Sequence, residues 1–260
     1  MNTDARKLFD LTGKVALVTG GGAGIGRAIC EGLSQFGASV AVVDLDESLA
    51  KETSSHIADA GGKSLVVRCD VTKIEDVRSA VKQCADKLGP IDVLVNNAGT
   101  LKRAPAEDMT DDAWDLIMSV NLRGPFLFCR EIGKAMIERG KGGRIINVAS
   151  IAALVGLETG NVNYSASKGG MIAMTRCLAI EWAKHNILVN AIAPTHTRTP
   201  FLERVLKAKP ENLQYFLNNI PLGRLGEASD FIGPAVFLAS DASAFVTGHT
   251  LVVDGGHTAK

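Results

Sequence analysis

Short, nearly continuous runs of apolar and β-branched residues alternate along the chain with longer stretches whose apolar positions recur three and four residues apart. The short runs are Val15–Thr19, Ser39–Asp44, Ser64–Cys69, Ile91–Asn96, Arg144–Val148, Leu188–Ala191 and Leu251–Val253. A strand covered by helices on both faces has no polar side to alternate with, so these runs predict buried parallel strands. The longer stretches, Gly24–Phe36, Leu49–Ala60, Ile74–Leu88, Asp111–Arg139 and Tyr164–His185, predict amphipathic helices. Short links between the two kinds imply right-handed crossovers. The expected class is α/β: a doubly wound parallel sheet of about seven strands with helices on both faces.

End signals support several helices. Thr72 stands three residues before Glu75, a capping-box spacing, and Thr110-Asp111 opens the long fourth helix. Gly61-Gly62, Gly89-Pro90 and Gly142-Gly143 close helices and turn the chain. No linker, low-complexity tract or repeat interrupts the alternation, which predicts one domain over residues 1–260. The alternation weakens only between Pro194 and Glu227, where Pro200, Pro210 and Pro221 surround a short helix, Leu202–Leu206. Apolar residues there (Phe201, Leu206, Tyr215, Phe216) predict a lid that packs on the rest.

Composition narrows the classes of function. Lys plus Arg and Asp plus Glu are equal at 28 each, so no global field favours nucleic acid or an anionic membrane. Cys30, Cys69, Cys84, Cys129 and Cys177 form no C-x-x-C pair and read as buried free thiols of a reducing compartment. The histidines (His56, His185, His196, His249, His257) are scattered, which predicts no metal site. The first ten residues are charged and lack an apolar core, and no apolar run approaches the ~20 residues of a membrane span. A cytoplasmic location without membrane contact is expected.

Directly after the first predicted strand comes Thr19-Gly20-Gly21-Gly22-Ala23-Gly24-Ile25-Gly26, and a helix follows at once. Glycine at Gly20 permits the tight turn; bare backbone at Gly24 and Gly26 lets a diphosphate approach and the helix pack closely. The helix N-terminus presents free N–H groups to the phosphates. Gly22, Ile25 and Leu45 are the remaining candidates around this nucleotide site. Asp44 ends the second strand 18 residues beyond Gly26, where a carboxylate can accept both ribose hydroxyls of an adenosine. No Arg or Lys stands at Gly21, Gly22 or Leu45 to receive a 2′-phosphate, so NAD(H) is expected over NADP(H). Asp44 acting only as a turn cap is the plainer alternative.

The spacing is G-x-x-x-G-x-G rather than G-x-G-x-x-G, and with it the chain resembles the short-chain dehydrogenase/reductase family, a Rossmann-type fold. The resemblance runs from Gly13 to Asp254-Gly255-Gly256. It implies further coenzyme contacts at Asp70 and Val71 near the adenine, and at Asn97, Ala98 and Gly99 of Asn96-Asn97-Ala98-Gly99. It also implies contacts at Pro194, Thr195, Thr197 and Thr199. Where the family has Pro-Gly, this chain has Pro194-Thr195-His196. A β-carbon at Thr195 is expected to limit the backbone there, and His196 to add a titratable group.

Tyr164 and Lys168 stand four apart at a predicted helix start, hence on one face. An ammonium beside a phenol is expected to pull its pKa down from ~10, fitting Tyr164 as general acid or base. Ser150, ending the fifth strand, would hydrogen-bond the reacting oxygen. The resemblance adds Asn121, expected to loosen the long helix and help hold a water that relays protons from Lys168. Both Tyr164 and Lys168 are also expected at the coenzyme. Specificity is expected from residues 100–105, 152–163 and 194–217. Arg103 and His196 are the substrate candidates, with Lys102 and Arg198 nearby.

The run from Asn97 to Pro105 resembles sugar-acid and polyol members. The expected activity is an NAD-dependent interconversion of a secondary alcohol and a ketone on a sugar, polyol or sugar acid. The alternatives are a 3-oxoacyl-thioester reductase and a non-catalytic NAD-binding regulatory protein. Family resemblance implies a homotetramer, with apolar residues Met171, Met174, Cys177 and Trp182 on more than one face of the last long helix.

Overall fold

The computed structural model describes residues 4–157 and 160–260. Its strands are β1 (Val15–Thr19), β2 (Ser39–Asp44), β3 (Ser64–Arg68), β4 (Val93–Asn96), β5 (Gly143–Val148), β6 (Ile187–Pro194), β7 (Thr197–Arg198), β8 (Gly226–Glu227) and β9 (Thr250–Val253). The helices are α1 (Gly24–Gln35), α2 (Glu47–Asp59), α3 (Ile74–Lys87), α4 (Asp111–Met118), α5 (Gly124–Arg139), α6 (Val162–Trp182), α7 (Pro200–Ala208), α8 (Asn212–Asn219) and α9 (Ile232–Ala239). Among the described residues a seven-stranded parallel sheet runs in the order β3-β2-β1-β4-β5-β6-β9. The expected α/β sheet is therefore present.

Adjacent residues of β1 serve opposite layers. Leu17 packs with residues of α3, α5 and α6, such as Val77, Phe128 and Leu178, while Ala16 and Val18 pack with α1, α2 and α9. Full burial of one Leu or Ile is worth about 1.5–3 kcal/mol, and an exposed ion pair about 0–1 kcal/mol. The two apolar layers, rather than surface pairs such as Lys82–Asp86, therefore hold the frame.

Three local expectations are corrected. The predicted long helix Asp111–Arg139 is broken into α4 and α5 by a π-helical turn, Ser119–Arg123. Pro125 has no N–H to donate to the Asn121 carbonyl, which allows the widened turn. The Thr72–Glu75 capping box is absent: Lys73 is the N-cap, without a side-chain bond. Thr72 instead gives its N–H and its hydroxyl to Asp70 Oδ1 at 3.0 and 2.7 Å, since the charged acceptor is nearer. The α5 helix ends at Gly140, in the left-handed region at φ 68°, and Gly143 already belongs to β5.

The predicted lid holds two helices rather than one, α7 and α8. Leu202, Phe216, Ile220 and Leu225 form a separate small cluster there. The β7–β8 pair ties its two ends together, Thr197 opposite Gly226 and Arg198 opposite Glu227. No helix among the described residues is long and apolar enough to cross a membrane.

Candidate active site

Strand order reverses beside β1, which has β2 on one side and β4 on the other. Chain connections leave in opposite directions there and open a crevice at the carboxyl ends. Register puts Thr19 opposite Asn96, and Asn96 opposite Asn147. The Thr19 hydroxyl accepts the N–H groups of Asn97 and Ala98, both at 3.1 Å. Asn97 Nδ2 returns bonds to the carbonyls of Thr19 and Gly20 at 3.1 and 2.9 Å. Thr19 was not among the expected site residues; it is the hinge pin between glycine turn and Asn96–Gly99.

Gly20 and Gly24 have φ of 63° and 54°, where a side chain is strained. A Cβ on Gly26 would overlap the Gly20 carbonyl oxygen and Asn97 Nδ2. The N-cap of α1, Ala23, has no side-chain acceptor, so the first-turn N–H groups are left for an anion. Asp44 Oδ2 accepts from Gly22 N–H at 2.9 Å and Oδ1 from Asp46 N–H at 3.0 Å. One lone pair stays free on each oxygen, enough for two ribose hydroxyls. Leu45 is exposed beside it, and Ile25 packs against the core. These features fit a dinucleotide.

Asp70 is occupied by Thr72 and by Lys73 at 3.5 Å, and Thr72 holds its carboxyl below the usual range. Val71 lies against Gly124, where a Cβ would stand 3.0 Å from Val71 Cγ2.

The residues expected to handle the proton converge at the ends of β5 and α6. Lys168 is 3% exposed, and its Nζ donates to the Val148 carbonyl at 2.6 Å. Burial pushes this amine down to about 8. Nζ lies 5.8 Å from the centre of the Tyr164 ring. Ser150 caps the following turn, accepting from Ala152 N–H at 3.1 Å, and its side chain hydrogen-bonds the Tyr164 phenol. Burial raises the phenol above its ordinary value; Ser150 and the charge of Arg103 pull it back. The expected downward pull of Lys168 on the phenol is therefore corrected. Desolvation dominates, and the lowering influences are Ser150 and Arg103.

Asn121, fully buried in the π-helical turn, accepts from Thr100 N–H at 2.8 Å and donates to Thr100 O at 2.9 Å and Ser167 Oγ at 3.3 Å. A Cβ on Gly99 would stand 3.4 Å from Asn121 Oδ1 and 3.8 Å from Lys168 Nζ, so bare backbone leaves space between the two. Asn163 is a further residue that sequence reasoning missed. Its Oδ1 accepts Tyr164 N–H at 2.7 Å and its Nδ2 donates to the Lys102 carbonyl at 3.0 Å. One buried amide thus registers the loop carrying Arg103 on the helix carrying Tyr164. Its position immediately before Tyr164 was the available signal. Of the turn 152–163, Glu158 and Thr159 lie outside the described residues.

Pro194 ends β6 and is buried. Thr195 has no left-handed φ, so its β-carbon brings no backbone strain; its hydroxyl meets His257 Nδ1 at 2.9 Å. Thr197 donates to the Thr195 carbonyl at 2.9 Å. Thr199 caps α7 and overhangs the glycine turn, where a Cβ on Gly24 would stand 3.0 Å from its methyl carbon. His196 lies against Phe216, ring centres 3.9 Å apart, and burial pushes it down to about 4. It is neutral near pH 7 and does not supply the titration expected of it. Arg103 is exposed, yet its charge acts on both His196 and Tyr164.

A family model described as enoyl-(acyl carrier protein) reductase matches residues 20–258. The 2-dehydro-3-deoxy-D-gluconate 5-dehydrogenase of Escherichia coli strain K12 is 39% identical over 252 residues, 97% of this chain and 98% of that protein. The chain belongs to the short-chain dehydrogenase/reductase family. An NAD-dependent glycerol dehydrogenase of Listeria innocua serovar 6a is 39% identical over 255 residues, covering 98% of this chain and 97% of that protein. Gluconate 5-dehydrogenase from Burkholderia cenocepacia J2315, solved with NADP and tartrate, superposes with a TM-score of 0.92. It is 36% identical, over 98% of this chain and 99% of that one. As a short-chain dehydrogenase/reductase, this protein is a pyridine-nucleotide oxidoreductase acting on CH–OH groups.

Proposed function

We propose that the protein interconverts a secondary alcohol and a ketone on a sugar acid, sugar or polyol, with NAD(H) as coenzyme. The observation that carries this reading is the meeting of Ser150, Tyr164 and Lys168 at the crevice beside a glycine turn that ends against Asp44. Gly20, Gly22, Gly24, Ile25 and Gly26 would hold the diphosphate, Asp44 and Leu45 the adenosine ribose, and Asp70 and Val71 the adenine side. Asn97, Ala98, Gly99, Pro194, Thr195, Thr197 and Thr199 would line the nicotinamide half. The bound nicotinamide supplies the hydride acceptor.

The chain's own residues handle the proton. Ser150 donates to the substrate oxygen, and Tyr164 takes the hydroxyl proton during oxidation and returns it during reduction. Lys168, anchored on Val148, keeps a positive charge under the phenol when protonated. Asn121 pins Thr100 and its Oδ1, which accepts one N–H, keeps a second lone pair that would serve a relay water. Because burial raises the phenol, alcohol oxidation gains speed toward alkaline pH.

Arg103 favours the sugar-acid member of the substrate class. Its guanidinium has no ion pair among the described residues and acts on Tyr164 and His196 together, where a substrate carboxylate would complement it. Asp44 favours NAD(H), since a 2′-phosphate would meet its charge.

The whole chain acts as one catalytic unit with a lid at 194–227, and a homotetramer remains the expected assembly. Met171 and Trp182 are consumed by the core, so the apolar residues left for such contacts include Trp114, Leu116, Phe126 and Ile180, the last 81% exposed. Sedimentation showing a monomer at micromolar protein would remove the tetramer. The central test is a panel of aldonates, sugars, polyols and acyl thioesters with NAD and NADP, read by nicotinamide absorbance. Turnover of an aldonate with NAD is the expected result; acyl-thioester reduction with NADPH would replace this reading.

A further inference from the structure

The last seven residues form a turn fastened to both sides of the lid. Asp254 gathers it, accepting from Gly256 N–H at 2.9 Å and from Thr258 N–H and Oγ1 at 2.7 and 2.8 Å. Leu222 N–H donates to the Gly255 carbonyl at 3.1 Å, and Lys260 Nζ reaches the Asn218 carbonyl at 3.0 Å, at the end of α8. From the middle of this turn His257 meets the loop after β6. Its Nδ1 lies 2.9 Å from Thr195 Oγ1, and its ring stacks on His196 with centres 5.9 Å apart and planes 17° off parallel. His196 in turn touches Phe216 of α8.

We propose that His257 is a positioning residue, holding Thr195 and His196 so that the loop after β6 and the lid keep one place relative to the crevice. A half-buried threonine hydroxyl needs a partner, and the C-terminal turn supplies it from outside the site. The chain order 195–196, 216, 257 closes a stack that spans loop, lid helix and C-terminus. Either tautomer of His257 serves, because the Thr195 hydroxyl both donates and accepts. Its importance for catalysis rests on the reading that this loop borders the nicotinamide.

The test compares His257→Ala, His257→Asn and His257→Gln in the full chain. An asparagine amide reaches where Nδ1 stands, and a glutamine amide reaches where Nε2 stands. Two readouts apply: NADH affinity from the fluorescence change of the protein's tryptophans, and tryptic cleavage in the lid at Arg204 or Lys207. The Ala variant is expected to bind NADH about three- to tenfold more weakly, the range for one neutral hydrogen bond. It should also raise KM with kcat within about twofold, and cut faster in the lid. Asn should restore most of both properties, and Gln should not.

In a Thr195→Val background, His257→Ala should cost less than it does in the wild type, since the hydrogen bond the two share is already gone and only the stack on His196 is left to lose. Equal behaviour of the Asn and Gln variants, unchanged lid cleavage in the Ala variant, or additive effects with Thr195→Val would each overturn the proposal. Lid cleavage is read without nucleotide. A failure of NADH binding by the wild type would therefore overturn the coenzyme reading while leaving the clamp decided by cleavage.

Discussion

On the floor of the crevice, side chains are bonded across strands whose register is fixed. Asn96 donates to Asn147 at 2.9 Å, Asn147 to Thr175 at 2.8 Å, and Lys168 to Val148, all within a buried sheet-and-helix layer. The lid has a different build. Its cluster of Leu202, Phe216, Ile220 and Leu225 is small and separate, its base is a two-residue strand pair, and Arg198 holds Glu203 and Glu227 through exposed ion pairs at 3.0 and 3.2 Å. Such pairs contribute about 0–1 kcal/mol. The difference fits the proposed division, with chemistry on the floor, where geometry is over-determined, and selection of substrate proposed for the lid, whose contacts are fewer and weaker.

Substitutions on the floor should therefore do most harm. Lys168→Met is expected to cut kcat/KM by about 10²–10⁴-fold, the range for loss of acid–base assistance, in steady-state assays with the best alcohol. The same variant carries a pH signature. A lysine held near 8 when folded and near ~10.4 when unfolded penalises the folded state wherever it is charged. That penalty is complete below pH 8 and fades as pH rises toward 10.4, so wild-type stability should climb relative to the variant over that window. Thermal unfolding from pH 7 to 10 reads it; a gap independent of pH would show that Lys168 is not desolvated.

Gly26→Ala comes next. Its methyl group would overlap the Gly20 carbonyl, and overpacking costs about 1–3 kcal/mol, so NADH affinity should fall by roughly 10–100-fold in a fluorescence titration. Asp44→Asn removes the charge and keeps an acceptor for only one of the two N–H groups, Gly22 or Asp46, since the amide nitrogen cannot accept. It should narrow the NAD over NADP preference by about tenfold, measured as the ratio of kcat/KM values, the scale of one charge-assisted hydrogen bond. Asn163→Ala should have the smallest effect: a few-fold rise in substrate KM with NADH binding unchanged, as the Lys102–Arg103 loop loses its anchor on Tyr164.

Legibility followed the same division. The alternation of runs gave strand positions to within a few residues, because a two-sided core forces apolar residues onto consecutive strand positions. The glycine turn, Asp44, Ser150, Tyr164 and Lys168 were readable since each sits at a strand end or helix start with a distinct motif. The π-helical turn was foreshadowed only as the loosening at Asn121 that the resemblance implied; its form and bounds were not readable, because its cause combines Pro125 with a buried amide that pairs with Thr100, a residue 21 positions away. Asn163 and His257 were missed for the same reason: their partners, Lys102 and Thr195, are distant in sequence and lie in irregular loops. Tyr164's upward shift was misjudged because burial is a property of the fold and not of the Tyr–Lys spacing.

The central claim is that Tyr164 moves the proton at this crevice. Tyr164→Phe, assayed with NAD on the best alcohol of the panel and titrated in parallel with NADH, tests it most directly. The account predicts activity lowered by about a thousandfold or more with NADH affinity within about twofold of wild type. Retention of more than a few per cent of the activity, with binding intact, would contradict it.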